Sequence, residues 1–360
     1  MAANIISENN AKSNPRPESY LKTRGRAAFL RAATAFGNSI IEARHRNDLL
    51  VVCYHSVLPD GTADPEKFGN CVSISEFTAQ LQVLCSEFHP IAAVDVASWY
   101  TRGTSLPARP VLVTFDDGHR NNLEYAAPLL LKYGVPAVIF VTTGYIGQQR
   151  LLWPYEIQER ILRRSRDRFP LPNGHECELP QGYAARYEIA QVVLECCKKL
   201  PFEQTCTYLR VLRATDIALG QSRHSFEFMN WYEVRELLRM GFEIGSHSEE
   251  HPMLSRLNAE QLWHEVNESK KTIERILSIS CGYFAYPNGS HADFSAESEH
   301  ALRRAEYELA FTTIPSFCSR TDNSLQLGRV VVPDHPSLEL FRTHISMLHS
   351  TAKRWLRAIA

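Results

Sequence analysis

The 360-residue chain has no C-x-x-C spacing among its nine cysteines, no run of 18 or more apolar residues and no surplus of either charge. An odd cysteine count, with Cys196 and Cys197 adjacent, fits neither a disulfide framework nor a zinc ribbon. It fits a reducing compartment in which thiols pack as small apolar groups. The missing apolar run excludes a membrane-spanning helix from the expectations. The opening stretch MAANIISENNAKSNPRPES carries no apolar h-region, so the expectation is a cytoplasmic protein without an export signal. With 39 basic against 40 acidic residues, a nucleic-acid partner is disfavoured. No repeat of 20–50 residues is evident.

What is present is a chain that is 44% hydrophobic and long enough to bury a large core. Residues 1–48 read as a polar tail followed by a helix with Leu21, Phe29, Phe36 and Ile40 among Lys22, Arg24, Arg26 and Arg31. From residue 49 to 335, short apolar runs alternate with helical patterns. DLLVVCYHSV, RPVLVTF, VPAVIFVTT, FEIGS, GYFAYP, YELAFTT and LGRVVVP read as buried strands. Ser75 is the expected N-cap of the helix after the first strand, and Gly134 and Gly241 the stops of two later helices. Residues 145–229 read as a helical insertion without strands. Residues 336–360 form a basic amphipathic pattern, with Phe341, Ile345, Leu348, Trp355 and Ile359 interleaved with Arg342, Lys353, Arg354 and Arg357. Such a helix packs on its own domain or lies on an anionic membrane. Repeated βα units with near-continuous apolar strands predict a parallel sheet covered by helices, closed into a distorted (β/α) barrel of about seven strands.

In parallel α/β folds the reactive groups gather where strands end. VLVTFDDGHR ends in Asp116 and Asp117, FEIGSHSEEH in His247 and His251, and YFAYPNGS in Tyr286, Pro287, Asn288 and Gly289. Two imidazoles and one carboxylate make three metal ligands with a position left for water. A single turn over residues 247–251 would aim both histidines at one point, and Pro252 would keep it from growing into a long helix. Ser248 replaces the glutamate of an H-E-x-x-H metal motif, so the base must come from the aspartate pair. Taken alone, Asp-Asp-Gly is as readily a turn, and so is Tyr-Pro-Asn-Gly.

Together and in this order, TFDDG, GSHSEEHPML and FAYPNG resemble the signature motifs of the polysaccharide deacetylases (NodB homology, carbohydrate esterase family 4), with YHSV and LGRVVV extending the match. The resemblance implies a distorted seven-stranded barrel and metal-assisted removal of an acyl group, usually N-acetyl, from a sugar. It implies Asp117, His247 and His251 as ligands of a divalent metal, zinc first, with cobalt, nickel or manganese also compatible. It implies Asp116 as the general base and a backbone N–H near Tyr286 as an oxyanion donor.

The sequence departs from the family in two places. There is no clean L-x-H histidine on the last strand, which leaves His335 as candidate general acid and His55 as a second acid or a substrate-binding group. Ala285 stands where many relatives carry the arginine that orients the base, a role Arg329 is placed to take. Tyr286, Pro287, Asn288, Arg329 and Trp231 are the further candidates for substrate binding, while Trp153 and Tyr155 are as readily core residues as sugar-stacking ones. The expected partner is an acylated sugar or glycan, free or lipid-linked, with peripheral membrane contact through the terminal helices. Two alternatives stay open: hydrolysis of another C–N bond (a formamido sugar, an acylated polyamine, a ring amide), and a non-catalytic glycan-binding relative.

Overall fold

Apolar runs such as LVVCY and AVIFV have no polar face to offer water, so they are stable only as strands covered on both sides. A computed structural model describes residues 45–62, 70–164, 168–215, 226–333 and 337–347. Its strands are, in chain order, β1 (Leu50–Tyr54), β2 (Ser56–Leu58), β3 (Cys71–Ser73), β4 (His89–Pro90), β5 (Pro110–Phe115), β6 (Ala137–Val141), β7 (Arg168–Pro170), β8 (Glu176–Glu178), β9 (Glu243–Ser246), β10 (Tyr283–Ala285), β11 (Leu309–Phe311) and β12 (Val330–Val331).

The main sheet has the order β11-β10-β9-β6-β5-β1-β12, every pair parallel, and short β4 adds to β5. Its residues in β1, β5 and β6 are all buried. The sheet curls into a half-barrel, and the segment leading into β12 bridges the open side, with Leu327 paired to Phe311 and Val330 to Val52. All seven strands expected from the apolar runs fall in this sheet.

Register decides where the chemistry lies. Tyr54 pairs with Phe115, Phe115 with Ile139, Val141 with Ser246, and Ser246 with Phe284. The strands therefore end at nearly one level, and the residues after them crowd one rim. Apolar residues facing the helices form the larger core, including Phe77, Leu81, Phe115, Phe284 and Tyr286, while Val51, Leu112, Phe140 and Phe311 form a second core on the sheet's other face.

Two expectations are corrected. The helix Ile74–Glu87 is capped by Ser73, not Ser75: the Ser73 hydroxyl accepts from the Glu76 N–H, and the Glu76 carboxylate accepts from the Ser73 N–H. This reciprocal box needs glutamate three residues past the cap, which Ser75 lacks; the Ser75 hydroxyl instead donates to Asp60. The insertion is not free of strands, because β7 and β8 pair as an antiparallel hairpin between the helices Trp153–Arg163 and Tyr183–Lys199. Two strands of three residues each carry too short a signal to read as a pair from the sequence.

Of the two readings of the C-terminal helix, the described part follows packing on its own domain. Within Leu338–Ile345, Phe341 and Ile345 are buried against the domain and Arg342 pairs with Glu87 at 2.7 Å, so this part of the helix does not offer its apolar face to a membrane. The remainder of that pattern, and the N-terminal helix, lie outside the described residues. Among the described residues no helix is long and apolar enough to cross a membrane.

Ser73→Ala should cost about 1 kcal/mol of stability in urea denaturation, and Ser75→Ala distinctly less. Equal losses would contradict the assigned cap.

Candidate metal centre and hydrolytic site

Asp116 and Asp117 follow β5 directly, and Asp117 takes a left-handed backbone (φ 75°) that turns the chain over the rim. His247 follows β9 and its N–H donates to Val141 O, continuing the ladder by one residue. Its Nδ1 lies 2.8 Å from Ala285 O, which fixes that nitrogen as the protonated donor and leaves a lone pair on Nε2. Nε2 of His247 and Nε2 of His251 each lie 3.6 Å from the same oxygen, Asp117 Oδ1.

The histidines converge without the expected turn of helix. Ser248 and His251 both have positive φ (64° and 58°), a path no helical turn allows. The Ser248 hydroxyl accepts from the His251 N–H at 3.1 Å, and the Glu265 carboxylate accepts from the N–H groups of Glu249 and Glu250 at 2.9 and 3.0 Å. Trp153 Nε1 donates to His251 O at 2.9 Å. Side chains from two helices thus satisfy the backbone that a helix would have satisfied itself. Trp153 is buried and serves this loop, not a sugar.

The donor set fits a divalent cation. Three ligand atoms from Asp117, His247 and His251 lie within 4.8 Å of one another, and all three residues are buried. Separations of 3.6 Å are too long for hydrogen bonds, yet close to the roughly 3.4 Å between ligand atoms on a tetrahedral ion with bonds of about 2.1 Å. The other oxygen of Asp117 accepts from the Tyr155 hydroxyl at 3.2 Å and faces His119 Nε2 at 3.3 Å, the latter a contact without hydrogen-bond alignment.

Arg329, entering β12, holds Asp116 with both arms: Nη1 donates to Oδ1 at 2.7 Å and Nη2 to Oδ2 at 2.8 Å. Its Nε donates to Thr312 O, and the guanidinium is wholly buried. The Cys53 thiol, kept protonated by burial, donates to Asp116 Oδ2 at 3.4 Å. Asp116, Asp117, His247 and His251 line the floor of a cleft of about 370 Å³ whose far wall is the insertion.

A family model described as polysaccharide deacetylase matches residues 103–178 and 193–310. The chain belongs to the polysaccharide deacetylase family. It is 21% identical over 303 residues to YxkH of Bacillus subtilis (strain 168), provisionally described as a polysaccharide deacetylase, covering 83% of this chain and 77% of that one. A poly-β-1,6-N-acetyl-D-glucosamine N-deacetylase of Staphylococcus aureus is 33% identical over 78 residues, 22% of this chain and 27% of that one. Among solved structures, the deacetylase PplD of Streptococcus pyogenes superposes with TM-score 0.56 at 16% identity, covering 83% and 99% of the two chains. IcaB of Ammonifex degensii gives 0.54 at 19% identity, covering 83% and 97%. These likenesses carry the fold, and family membership makes the chain a hydrolase of the sugar deacetylase type.

Within this deacetylase site, burial would raise both carboxyls, and the neighbours reverse it. Arg329, with His247 and His55, brings Asp116 down to about 2; His119, His55 and His251 hold Asp117 far below the usual carboxylate range. Burial takes the His251 imidazole down to about 3, so at neutral pH it is uncharged, the form in which an imidazole can bind metal. Burial also lowers the pKa of His55, which lines the cleft close to Asp116 and whose carbonyl accepts from Asn122 at 2.8 Å.

The remaining sequence candidates separate. Asn288 lines the cleft, but its carboxamide is bound to Asp293. Tyr286 is buried, its hydroxyl on Leu325 O and its N–H on Phe311 O, so neither reaches substrate. Pro287 is buried and absent from the cleft wall, and Trp231 packs against the main core at the start of Trp231–Arg239. Arg329 is too deeply committed to touch a substrate. His335 lies outside the described residues. Sequence reasoning missed His119, Asn122 and Glu265, and assigned Tyr155 no role at the metal. His119 stands two residues past Asp117, which was the available signal; Tyr155 and Glu265 are distant in sequence and left none.

Tyr155→Phe should weaken Zn²⁺ binding about tenfold or more in a competition assay with a chromophoric chelator; unchanged affinity would remove Tyr155 from the ligand's support. Arg329→Met should cost about 3–5 kcal/mol at pH 7, because it leaves the Asp116 charge buried and alone. In the native protein Asp116, depressed to about 2, contributes stability that is present above about 3.9 and lost as pH falls through about 2. The penalty of Arg329→Met should therefore shrink between pH 4 and pH 2 in urea titrations, and a penalty independent of pH would contradict the pairing.

Proposed function

We propose that this protein is a metal-dependent N-deacetylase of N-acetylated glycans. One observation carries the reading: a carboxylate and two imidazoles aimed at a common point, beside a second carboxylate clamped by a buried arginine, at the floor of a cleft. The name of the Staphylococcus aureus relative supports an N-acetylglucosamine glycan as the substrate class.

Asp117, His247 and His251 would hold the ion, with Zn²⁺ the best match to two imidazoles and one carboxylate. A divalent ion there supplies Lewis acidity toward the acyl oxygen and makes a nearby water more acidic. Asp116 accepts that water's proton. Arg329 fixes the orientation of Asp116 and keeps it ionised, which makes it a weak base that works only on an acidified water and, once protonated, a strong acid. Asp116 is therefore suited to return the same proton to the departing amine. His55, uncharged at neutral pH, is better suited to a hydrogen bond with substrate than to that proton transfer.

The second oxyanion donor is taken from the backbone near Tyr286. Tyr286 N–H is used by Phe311 and Pro287 has none. Asn288 N–H, at the cleft and with no acceptor among the described residues, is the donor left.

Purified protein with Zn²⁺ should release acetate from free N-acetyl sugars, N-acetylglucosamine oligomers or a lipid-linked N-acetyl sugar, and a chelator should abolish the release. Asp116→Asn should keep stoichiometric metal while turnover falls about 10²–10⁴-fold. Asp117→Ala or His247→Ala should lose both. Zn²⁺ retained in full by His247→Ala would overturn the ligand assignment. Activity confined to formamido sugars, acylpolyamines or ring amides would redirect the substrate class.

A further inference from the structure

The insertion gives the cleft a wall that the hydrolytic chemistry leaves unused. Its helix Tyr183–Lys199 presents Tyr187, Gln191, Leu194 and Lys198 to the cleft. Steps of four, three and four residues trace one face of a helix, extending about 16 Å along its axis. Gln158, on the neighbouring helix Trp153–Arg163, joins the same wall.

Gln158 is only 4% exposed, and its carboxamide is half satisfied. Oε1 accepts from Gln191 Nε2 at 3.4 Å, whereas Nε2 is buried with no hydrogen-bond partner among the described residues. Buried donors rarely stay unpaired, and at the edge of a cleft the missing acceptor is a water or a ligand oxygen that replaces it. Tyr187 and Leu194 add apolar surface, the complement to the C–H face of a sugar ring. Lys198 is already paired with Glu195 at 2.9 Å, so the wall presents no free cation to an anionic group.

We infer that this wall is a subsite for an uncharged sugar residue adjoining the acylated one, with Gln158 Nε2 donating to a hydroxyl or acyl oxygen of that neighbour. The inference rests on the proposed function for the identity of the floor of the cleft. It makes the protein a deacetylase of oligomers, with the insertion as its length gauge.

The test compares N-acetylglucosamine with its β-1,4- and β-1,6-linked tetramers. The Zn²⁺-loaded enzyme should favour a tetramer over the monomer in kcat/KM by about tenfold or more. Gln158→Met, similar in volume but unable to donate, should cut that ratio about tenfold, chiefly through KM, and Gln191→Met should lower it less. Calorimetry on Asp116→Asn provides a reading that needs no turnover: tetramer binding should weaken about tenfold when Gln158→Met is added. If thermal melting shows Gln158→Met to be unfolded, Gln191→Met decides. A ratio near one in the native enzyme, a ratio unchanged in both variants, or no tetramer binding by Asp116→Asn would overturn the subsite. Tetramer binding that depends on Gln158 without acetate release would support the subsite and sink the hydrolytic reading alone.

Discussion

Two adjacent carboxylates, both nearly inaccessible to water, set the terms for the rest of this structure. Ionised together at the end of β5, Asp116 and Asp117 repel each other and lose hydration at once. They are tolerable only if each faces its own source of positive charge or donated hydrogen. Asp116 receives it from the wholly buried guanidinium of Arg329; Asp117 receives a hydrogen from the Tyr155 hydroxyl and faces two imidazoles in a donor set that would suit a cation. The pair is thereby divided into two unlike groups, one clamped by an arginine and one turned toward two imidazoles.

That division explains the odd features nearby. The loop after β9 adopts two left-handed residues, Ser248 and His251, because two imidazoles must meet at Asp117 from one strand end. The strain is offset by borrowed hydrogen bonds from Ser248, Glu265 and Trp153. Arg329 reaches Asp116 because β12 lies beside β1 and β1 beside β5, so an arginine more than 200 residues away sits two strands from its partner. The resemblance to the family implies an arginine at the strand end where this chain has Ala285. Here the same electrostatic requirement is met from the opposite side of the half-barrel.

The insertion joins these levels. One of its helices contributes Trp153 to the histidine loop and Tyr155 to Asp117 as well as Gln158 to the cleft wall. Folding of the insertion and assembly of the metal centre are therefore coupled through a few hydrogen bonds, although the segment has its own apolar cluster around Ile157, Ile161 and Leu212.

Much of this was legible in the residues alone. Runs such as LVVCY and AVIFV permit only doubly covered strands, and three polar strand ends on one parallel sheet must share a rim, so the sheet, Asp116, Asp117, His247 and His251 followed from pattern and topology. Local chemistry was harder: Ser75 reads as a cap by residue type, whereas the reciprocal partner Glu76 stands three residues past Ser73, and the β7–β8 hairpin is too short to announce itself. What the tertiary structure alone decided is which distant groups meet: Arg329 with Asp116, Tyr155 and His119 with Asp117, Glu265 with the histidine loop, and Tyr286 turned away from the cleft. Periodicity in a sequence encodes which face of an element is apolar, because burial acts on each residue separately. It does not encode pairing across a hundred or more residues, because that depends on the strand order and registry through which the chain closes.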